Sequence, residues 1–174
     1  SYFLDNQLVM DGQLIHSQTE ESGKGISFEM NYNPTEKSLS SWIDFEYFDK
    51  EFNINDVGYL HRNNLQKVQG GVGLYWPELN FPIPILEGRV DFNFNKMSNL
   101  DDLILNNSMG ISTTTTFNNL WYLGGGYNYM SEYHDDLSLY DYHKKIFGPS
   151  IMIPEGSEIN IYFGNDPHGI YTIN

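Results

Sequence analysis

Residues 86–95 read LEGRVDFNFN. Leu86, Gly88, Val90, Phe92 and Phe94 alternate there with Glu87, Arg89, Asp91, Asn93 and Asn95. Successive side chains of a β-strand point to opposite faces, so this stretch makes one oily, aromatic wall and one charged wall. A soluble sandwich strand has this pattern, and so does a strand of an outer-membrane barrel. How often the pattern returns, and what joins its copies, decides between them.

Period-two alternation and turn chemistry predict about ten strands, at 7–18, 25–33, 38–48, 64–77, 85–96, 107–117, 120–130, 147–154, 158–164 and 169–174. Alternation is cleanest where Ile26, Phe28, Met30 and Tyr32 oppose Ser27, Glu29, Asn31 and Asn33, and where Ile43, Phe45 and Tyr47 oppose Asp44 and Glu46. It recurs where Ile159, Ile161 and Phe163 oppose Glu158 and Asn160. The Gly124–Gly126 run inside another strand points to a bend or a close backbone approach.

Composition agrees with an all-β chain. Aromatics make up 16% of the 174 residues and alanine is absent, so strand formers outweigh helix formers. With no cysteine there is neither a disulfide framework nor thiolate chemistry. A formal charge of −14 argues against a nucleic-acid partner, which needs clustered Lys and Arg against phosphate. It leaves open a membrane barrel with an acidic lumen. No apolar run reaches the roughly 18 residues of a membrane helix. The sequence starts SYFLDN and ends GIYTIN, both strand-like. The expectation is therefore a single barrel segment, 1–174, cut from something longer.

The connections carry a second signal. Short turns are predicted at Pro34–Lys37, Asn118–Asn119 and Glu155–Ser157, with a somewhat longer Pro-rich link at Glu78–Pro84. Between them fall Thr19–Lys24, Asp49–Asn63, Met97–Asn106, Ser131–Ile146 and Asn165–His168, most of them longer and more polar. Alternation of short and long links is what an up-and-down meander between two unlike compartments produces. Aromatic pairs at Tyr47–Phe48, Tyr75–Trp76, Trp121–Tyr122 and Tyr127–Tyr129 stand near strand ends, where girdles at the two membrane interfaces would lie.

The segment Phe45–Asn64, FEYFDKEFNINDVGYLHRNN, carries the pattern F-x-x-N-D-x-G-[YF]-x-x-R-x-[DN] after a strand. It resembles the hallmark of a barrel family of unknown function, domain of unknown function 5916. Asn119–Tyr129, NLWYLGGGYNY, resembles that family's F-W-x-x-G-x-G-x-x-Y strand. Tyr133–Asp136 followed by Gly148–Pro149 resembles its Asp-pair loop, and Gly164–Pro167 resembles its late S-D-P step. The resemblance covers roughly 7–170. It implies an outer-membrane barrel with more strands than are present here. It also implies a preceding family 9 carbohydrate-binding module as an N-terminal neighbour.

Candidate chemistry is sparse. Asn55, Asp56, Gly58, Tyr59, His61 and Arg62 form a ligand-binding or structural loop, in which Asn55 suits an Asx turn, Gly58 permits positive φ and Asp56 stands ready to pair with Arg62. Polar groups satisfying one another is the simpler account of it. His134, Asp135, Asp136, Asp141 and His143 make an acidic loop whose carboxylates suit calcium, with Asp135 and Asp136 the metal candidates, although no EF-hand or zinc spacing is present. A solvated outer loop explains the same residues. Asp166-Pro167-His168-Gly169 reads as a turn before it reads as a catalytic pair.

Glu87, Arg89, Asp91 and Asn93 share one face, with Glu29, Asp44 and Glu46 on the same side of their own strands. Lining a lumen accounts for them more simply than a glycosidase carboxylate pair. The expectation is an antiparallel, up-and-down, all-β open barrel of about ten strands. It would sit in a bacterial outer membrane as the anchor or conduit of a surface protein, with membrane lipid as its partner. Enzymatic activity is not favoured, since no nucleophile motif is present. Two alternatives stay open: a soluble ligand-binding β-barrel or sandwich, and part of a carbohydrate-active hydrolase.

Overall fold

A computed structural model describes residues 2–4, 7–18, 22–34, 38–53, 62–80, 84–136, 149–165 and 171–173. The chain is built from β1 (Tyr2–Leu4), β2 (Leu8–Gln18), β3 (Ser22–Tyr32), β4 (Leu39–Phe48), β5 (Leu65–Asn80) and β6 (Pro84–Ser98). There follow β7 (Ile104–Phe117), β8 (Tyr122–Met130), β9 (Tyr133–Asp135), β10 (Ile151–Ile153), β11 (Gly156–Gly164) and β12 (Tyr171–Ile173). Ten of these form one sheet in the order β1-β2-β3-β4-β5-β6-β7-β8-β11-β12, every pair antiparallel. The meander is up-and-down. Its two ends, β1 and β12, do not meet, so the sheet is open among the described residues.

Register turns the alternation of single strands into two continuous walls. On one wall a row runs Leu8, Tyr32, Ser41, Val72, Phe92, Ile111, Tyr127, Ile159 across eight strands. The row beside it includes Met10, Met30, Ile43, Phe94 and Met109. The opposite wall carries the row Asp11, Glu29, Asp44, Gln69, Asn95, Ser108. A one-residue slip in any strand would exchange its walls, so this pattern fixes the register.

Among the described residues nothing covers the apolar wall. Val72, Phe92, Ile111, Tyr127, Ile159 and Ile161 are all exposed, Ile159 at 73%. The buried hydrophobics among the described residues are Phe52, Leu65 and Leu105, all at the rim where β4–β5 and β6–β7 are joined. A protein of this size ordinarily hides its large apolar side chains in a core. Here the core is a small cluster at one rim, and most of the apolar surface faces outward.

The structure corrects the predicted strand 147–154. Residues 151–153 do not join the main sheet; as β10 they pair with β9 in a two-stranded hairpin. The segment 131–155 is therefore one long excursion between β8 and β11, and the short turn predicted at Glu155–Ser157 is where that excursion re-enters the sheet. This change also settles the parity of Asn165–His168, which joins β11 to β12 at the rim of short links.

At Glu78–Pro84 the strands pair out to Asn80↔Pro84, leaving only 81–83 to turn. Two links expected to be long are short: Thr19–Lys24 shrinks to 19–21 and Met97–Asn106 to 99–103. The long excursions that remain, 49–64 and 131–155, lie at the same rim.

The turns have local causes. At 99–103 the Asn99 Oδ1 accepts hydrogen bonds from the Asp101 and Leu103 amides, at 3.0 and 2.8 Å, and Asp102 takes φ 62°. At 118–121 the Leu120 amide donates to Phe117 O at 2.8 Å and Leu120 itself has φ 64°.

Candidate functional site

Two regions gather polar side chains: the rim of the long excursions, and the middle of the polar wall.

At the rim the β4–β5 excursion folds inward over β2 and β3. Phe52 stacks on Phe48 with ring centroids 5.0 Å apart and is fully buried. Glycine makes the seat. A Cβ on Gly25 would lie 2.7 Å from Phe48 Cδ1 and 3.0 Å from Phe52 Cζ, and one on Gly23 would overlap the Phe52 backbone. The Asn53 amide donates to Ser17 Oγ at 3.0 Å, and the Lys24 amide donates to Asp49 Oδ2 at 2.7 Å.

The same excursion is tied in two further directions. Lys50 Nζ donates to Asp101 Oδ1 at 2.6 Å, and Asn64 Oδ1 accepts from the Leu100 amide at 3.0 Å, which joins it to the β6–β7 turn. The Arg62 guanidinium forms a buried ion pair with Asp136, which joins it to the β8–β11 excursion. The hydrogen bond from Lys50, with its charge and a hydrogen bond from Asn64 assisting, holds the Asp101 carboxyl below the usual carboxylate range against the opposing effect of desolvation.

Arg62 was expected to meet Asp56, and Asp136 to stand with Asp135 as a metal candidate. The structure pairs Arg62 with Asp136, while the expected partner Asp56 lies outside the described residues. Asn55, Asp56, Gly58, Tyr59 and His61 lie outside the described residues, as do Asp141, His143 and the Asp166–Gly169 turn. Among the described residues no cluster of three or more His, Cys, Asp or Glu could hold a metal ion.

On the polar wall Glu87, Arg89, Asp91 and Asn93 all lie in phase, opposite Val90, Phe92 and Phe94. Arg89 Nε reaches both Asp91 oxygens, at 2.8 and 2.7 Å. Glu87 accepts from Tyr75 Oη at 3.3 Å. Asp91 is thus held by a guanidinium at both oxygens, which suits a fixed charge pair and not a free acid or base. Lys67 lies between Asp44 and Glu46, at 3.2 and 3.3 Å.

Sequence reasoning missed the glycine floors of this wall. One register row reads Trp42, Gly71, Asn93, Gly110, Asn128, Glu158, and the next reads Ser40, Gly73, Asp91, Ser112, Gly126, Asn160. Gly71 and Gly110 in the first row, and Gly73 and Gly126 in the second, leave gaps over which the neighbouring side chains lean. A Cβ on Gly71 would stand 2.7 Å from Trp42 Nε1, and one on Gly110 would stand 3.0 Å from Asn93 Oδ1 and 3.1 Å from Asn128 Oδ1. Two cavities result, of about 450 Å³ beside Trp42 and about 280 Å³ beside Asn128, and both are lined by Asn93. Trp42 was readable: it stands two residues before Asp44, in phase with the polar residues and out of phase with Ile43.

The expected aromatic girdle is only half present. Adjacent residues of a strand cannot share a wall. Trp76 and Tyr47 face the apolar wall, while Tyr75 and Phe48 face the polar wall. Trp121 sits in the β7–β8 turn and Tyr122 pairs with Thr116 on the polar wall.

An open antiparallel meander with an uncovered apolar wall, a polar wall opposite and long excursions gathered at one rim defines the class of protein. Within that class the chain belongs to the family described as Domain of unknown function (DUF5916), whose model matches residues 4–174. Comparison with curated proteins and with solved structures returns no match.

Proposed function

We propose that this chain is a segment of an outer-membrane β-barrel, with lipid against the apolar wall and water along the polar wall, serving as the anchor or conduit of a surface protein. The observation that carries the reading is the row from Leu8 to Ile159, apolar or aromatic at every strand but β4, where Ser41 stands, and exposed from Val72 to Ile159, while the buried hydrophobics among the described residues are confined to one rim. Water is a poor solvent for such a wall, and a contiguous exposed apolar surface of this extent marks a contact with lipid or with another chain. Dimensions favour lipid. β5, β6 and β7 run 16, 15 and 14 residues, longer than the roughly 9–11 that a tilted strand needs to cross a bilayer.

A sheet is admissible in lipid because its backbone groups pair between strands, which requires the edges at β1 and β12 to be paired in the complete protein. Activity on this reading is passage or anchoring. A link to carbohydrate handling rests on the resemblance to proteins whose neighbouring domain binds carbohydrate.

Spin labels at positions 92 and 91 of the complete protein in lipid vesicles test the proposal. Phe92→Cys should be relaxed by oxygen dissolved in the acyl region, and Asp91→Cys by an aqueous nickel chelate. A water-exposed label at 92, or a protein that stays monomeric and folded without detergent, would remove the membrane reading.

A further inference from the structure

The two glycine-floored cavities of the polar wall make one transverse groove, and we infer that it binds an extended, uncharged, hydroxyl-rich ligand, a linear oligosaccharide in chemical class. The groove follows two register rows across β4, β5, β6, β7, β8 and β11. Five strand spacings of about 4.8 Å give it a span of roughly 24 Å, which fits an oligomer better than a single small molecule. This inference uses the polar wall alone and holds whether or not the other wall meets lipid.

The lining selects the chemistry. Asn93, Asn128 and Asn160 present side-chain amides that donate and accept, and Ser112 adds a hydroxyl. Hydroxyl groups of a ligand also donate and accept, so they can meet amides in either sense. Asn95 lines the larger cavity and adds a fourth side-chain amide to the groove. Trp42 is 39% exposed on this polar wall, and its indole offers a flat apolar face to the C–H side of a sugar ring.

Charge and polarity disfavour anionic and apolar ligands. The lining cation, Arg89, is bound to Asp91, so an anionic ligand would meet Glu158 without a free positive partner. An apolar ligand would strand the amides, at a cost of about 1–3 kcal/mol for each group left unpaired.

The complete protein, labelled with 5-fluorotryptophan, is titrated with maltohexaose, cellohexaose and chitohexaose, the Trp42 resonance being assigned by its loss in Trp42→Phe. At least one of the three should shift that resonance saturably and leave those of Trp76 and Trp121 in place. Gly110→Ala puts a methyl group between Asn93 and Asn128, whose flexible side-chain ends can yield, so the fold should survive while affinity falls by about tenfold or more. Thermal unfolding confirms that the variant is folded.

If none of the three moves the Trp42 signal up to about 10 mM, or if Gly110→Ala binds as tightly as the parent, the groove is not a saccharide site. A shift produced instead by hexalysine would assign the groove to a cationic peptide and overturn the inference. Saccharide binding by a protein whose apolar wall fails the lipid test would retire the membrane reading alone.

Discussion

Arg62 and Asp136, 74 residues apart in sequence, form an ion pair between the two long excursions of one rim, with side chains only 6% and 12% exposed. A pair this far from water is expensive to break from one side, because the surviving charge stays buried. Arg62→Met or Asp136→Leu should destabilise the protein by about 3–5 kcal/mol, whereas the two combined should cost much less than the sum. Urea unfolding of the complete protein in detergent, run as a double-mutant cycle, measures this. Additive effects would mean that the two side chains do not act together.

The same pair bears on calcium. A carboxylate committed to a guanidinium is a poor ligand for a hard cation, so the Asp135–Asp136 step should not bind calcium strongly. A ligand at one hundred times its dissociation constant stabilises the fold by about 2.7 kcal/mol. Millimolar calcium should produce no such rise in the unfolding midpoint. A calcium-dependent rise that Asp136→Asn abolishes would reverse this assignment.

Packing of the inward-folded excursion depends on glycine. Gly23→Val sets a branched side chain against the Phe52 backbone and should unseat the loop, exposing Phe52. Phe52→Ala removes the largest fully buried side chain among the described residues and should cost about 3–5 kcal/mol. Gly12→Ala is the control, since its Cβ would meet Phe28 Cδ2 at an ordinary 3.8 Å. Limited proteolysis between residues 49 and 64 reports the seating. Equal cleavage of Gly23→Val and Gly12→Ala would show that no close approach constrains position 23.

These relationships mark how far the sequence alone could be read. Alternation around Phe92 and Asp91 fixed both walls, because period two is a local property of the strand. The hairpin of β9 and β10 was not legible: Ile151–Ile153 is as apolar as a sheet strand, and its partner at Tyr133–Asp135 is chosen by the loop's own closure. Aromatic pairs such as Tyr75–Trp76 look like one belt in sequence, though the pleat sends their rings to opposite walls. The ion pair of Arg62 with Asp136 joins residues 74 apart across the rim, a distance that no local pattern spans. The Gly124–Gly126 run did signal close approach: Tyr162 from β11 crosses Gly124 and its hydroxyl hydrogen-bonds Thr114 Oγ1 at 2.6 Å.

Rim stability should also depend on pH through Asp101. Its carboxyl titrates below the usual range because Lys50 hydrogen-bonds the ionised form. The unfolded chain returns it to about 3.9. The contribution is therefore complete above that value and is lost as pH falls through the lower, folded-state value. Both side chains are about half exposed, so the effect is small and weakened by salt. A carboxyl NMR titration should give a higher Asp101 midpoint in Lys50→Gln than in the parent. Coincident midpoints would discount the contact.

Charge placement along a single strand pair gives the sharpest test of the two walls. Phe92 and Ile111 are cross-strand partners near mid-height of the apolar wall, and Asn93 and Gly110 are the next pair, on the polar wall. A lysine at position 111 would have to carry its ammonium into hydrocarbon or bend it toward an interface. At the bilayer midplane such a substitution costs about 2–4 kcal/mol, and near the interfaces much less. Ile111→Lys and Phe92→Lys should therefore lower the stability of the complete protein refolded into vesicles by that amount, while Asn93→Lys, facing water, should leave it nearly unchanged. In a soluble protein with an exposed wall the ranking would invert: lysine at 92 or 111 would relieve apolar exposure and raise solubility at little cost. Urea titrations of the three variants in vesicles separate the two cases, and equal stability of Ile111→Lys and Asn93→Lys would show that this wall never meets lipid.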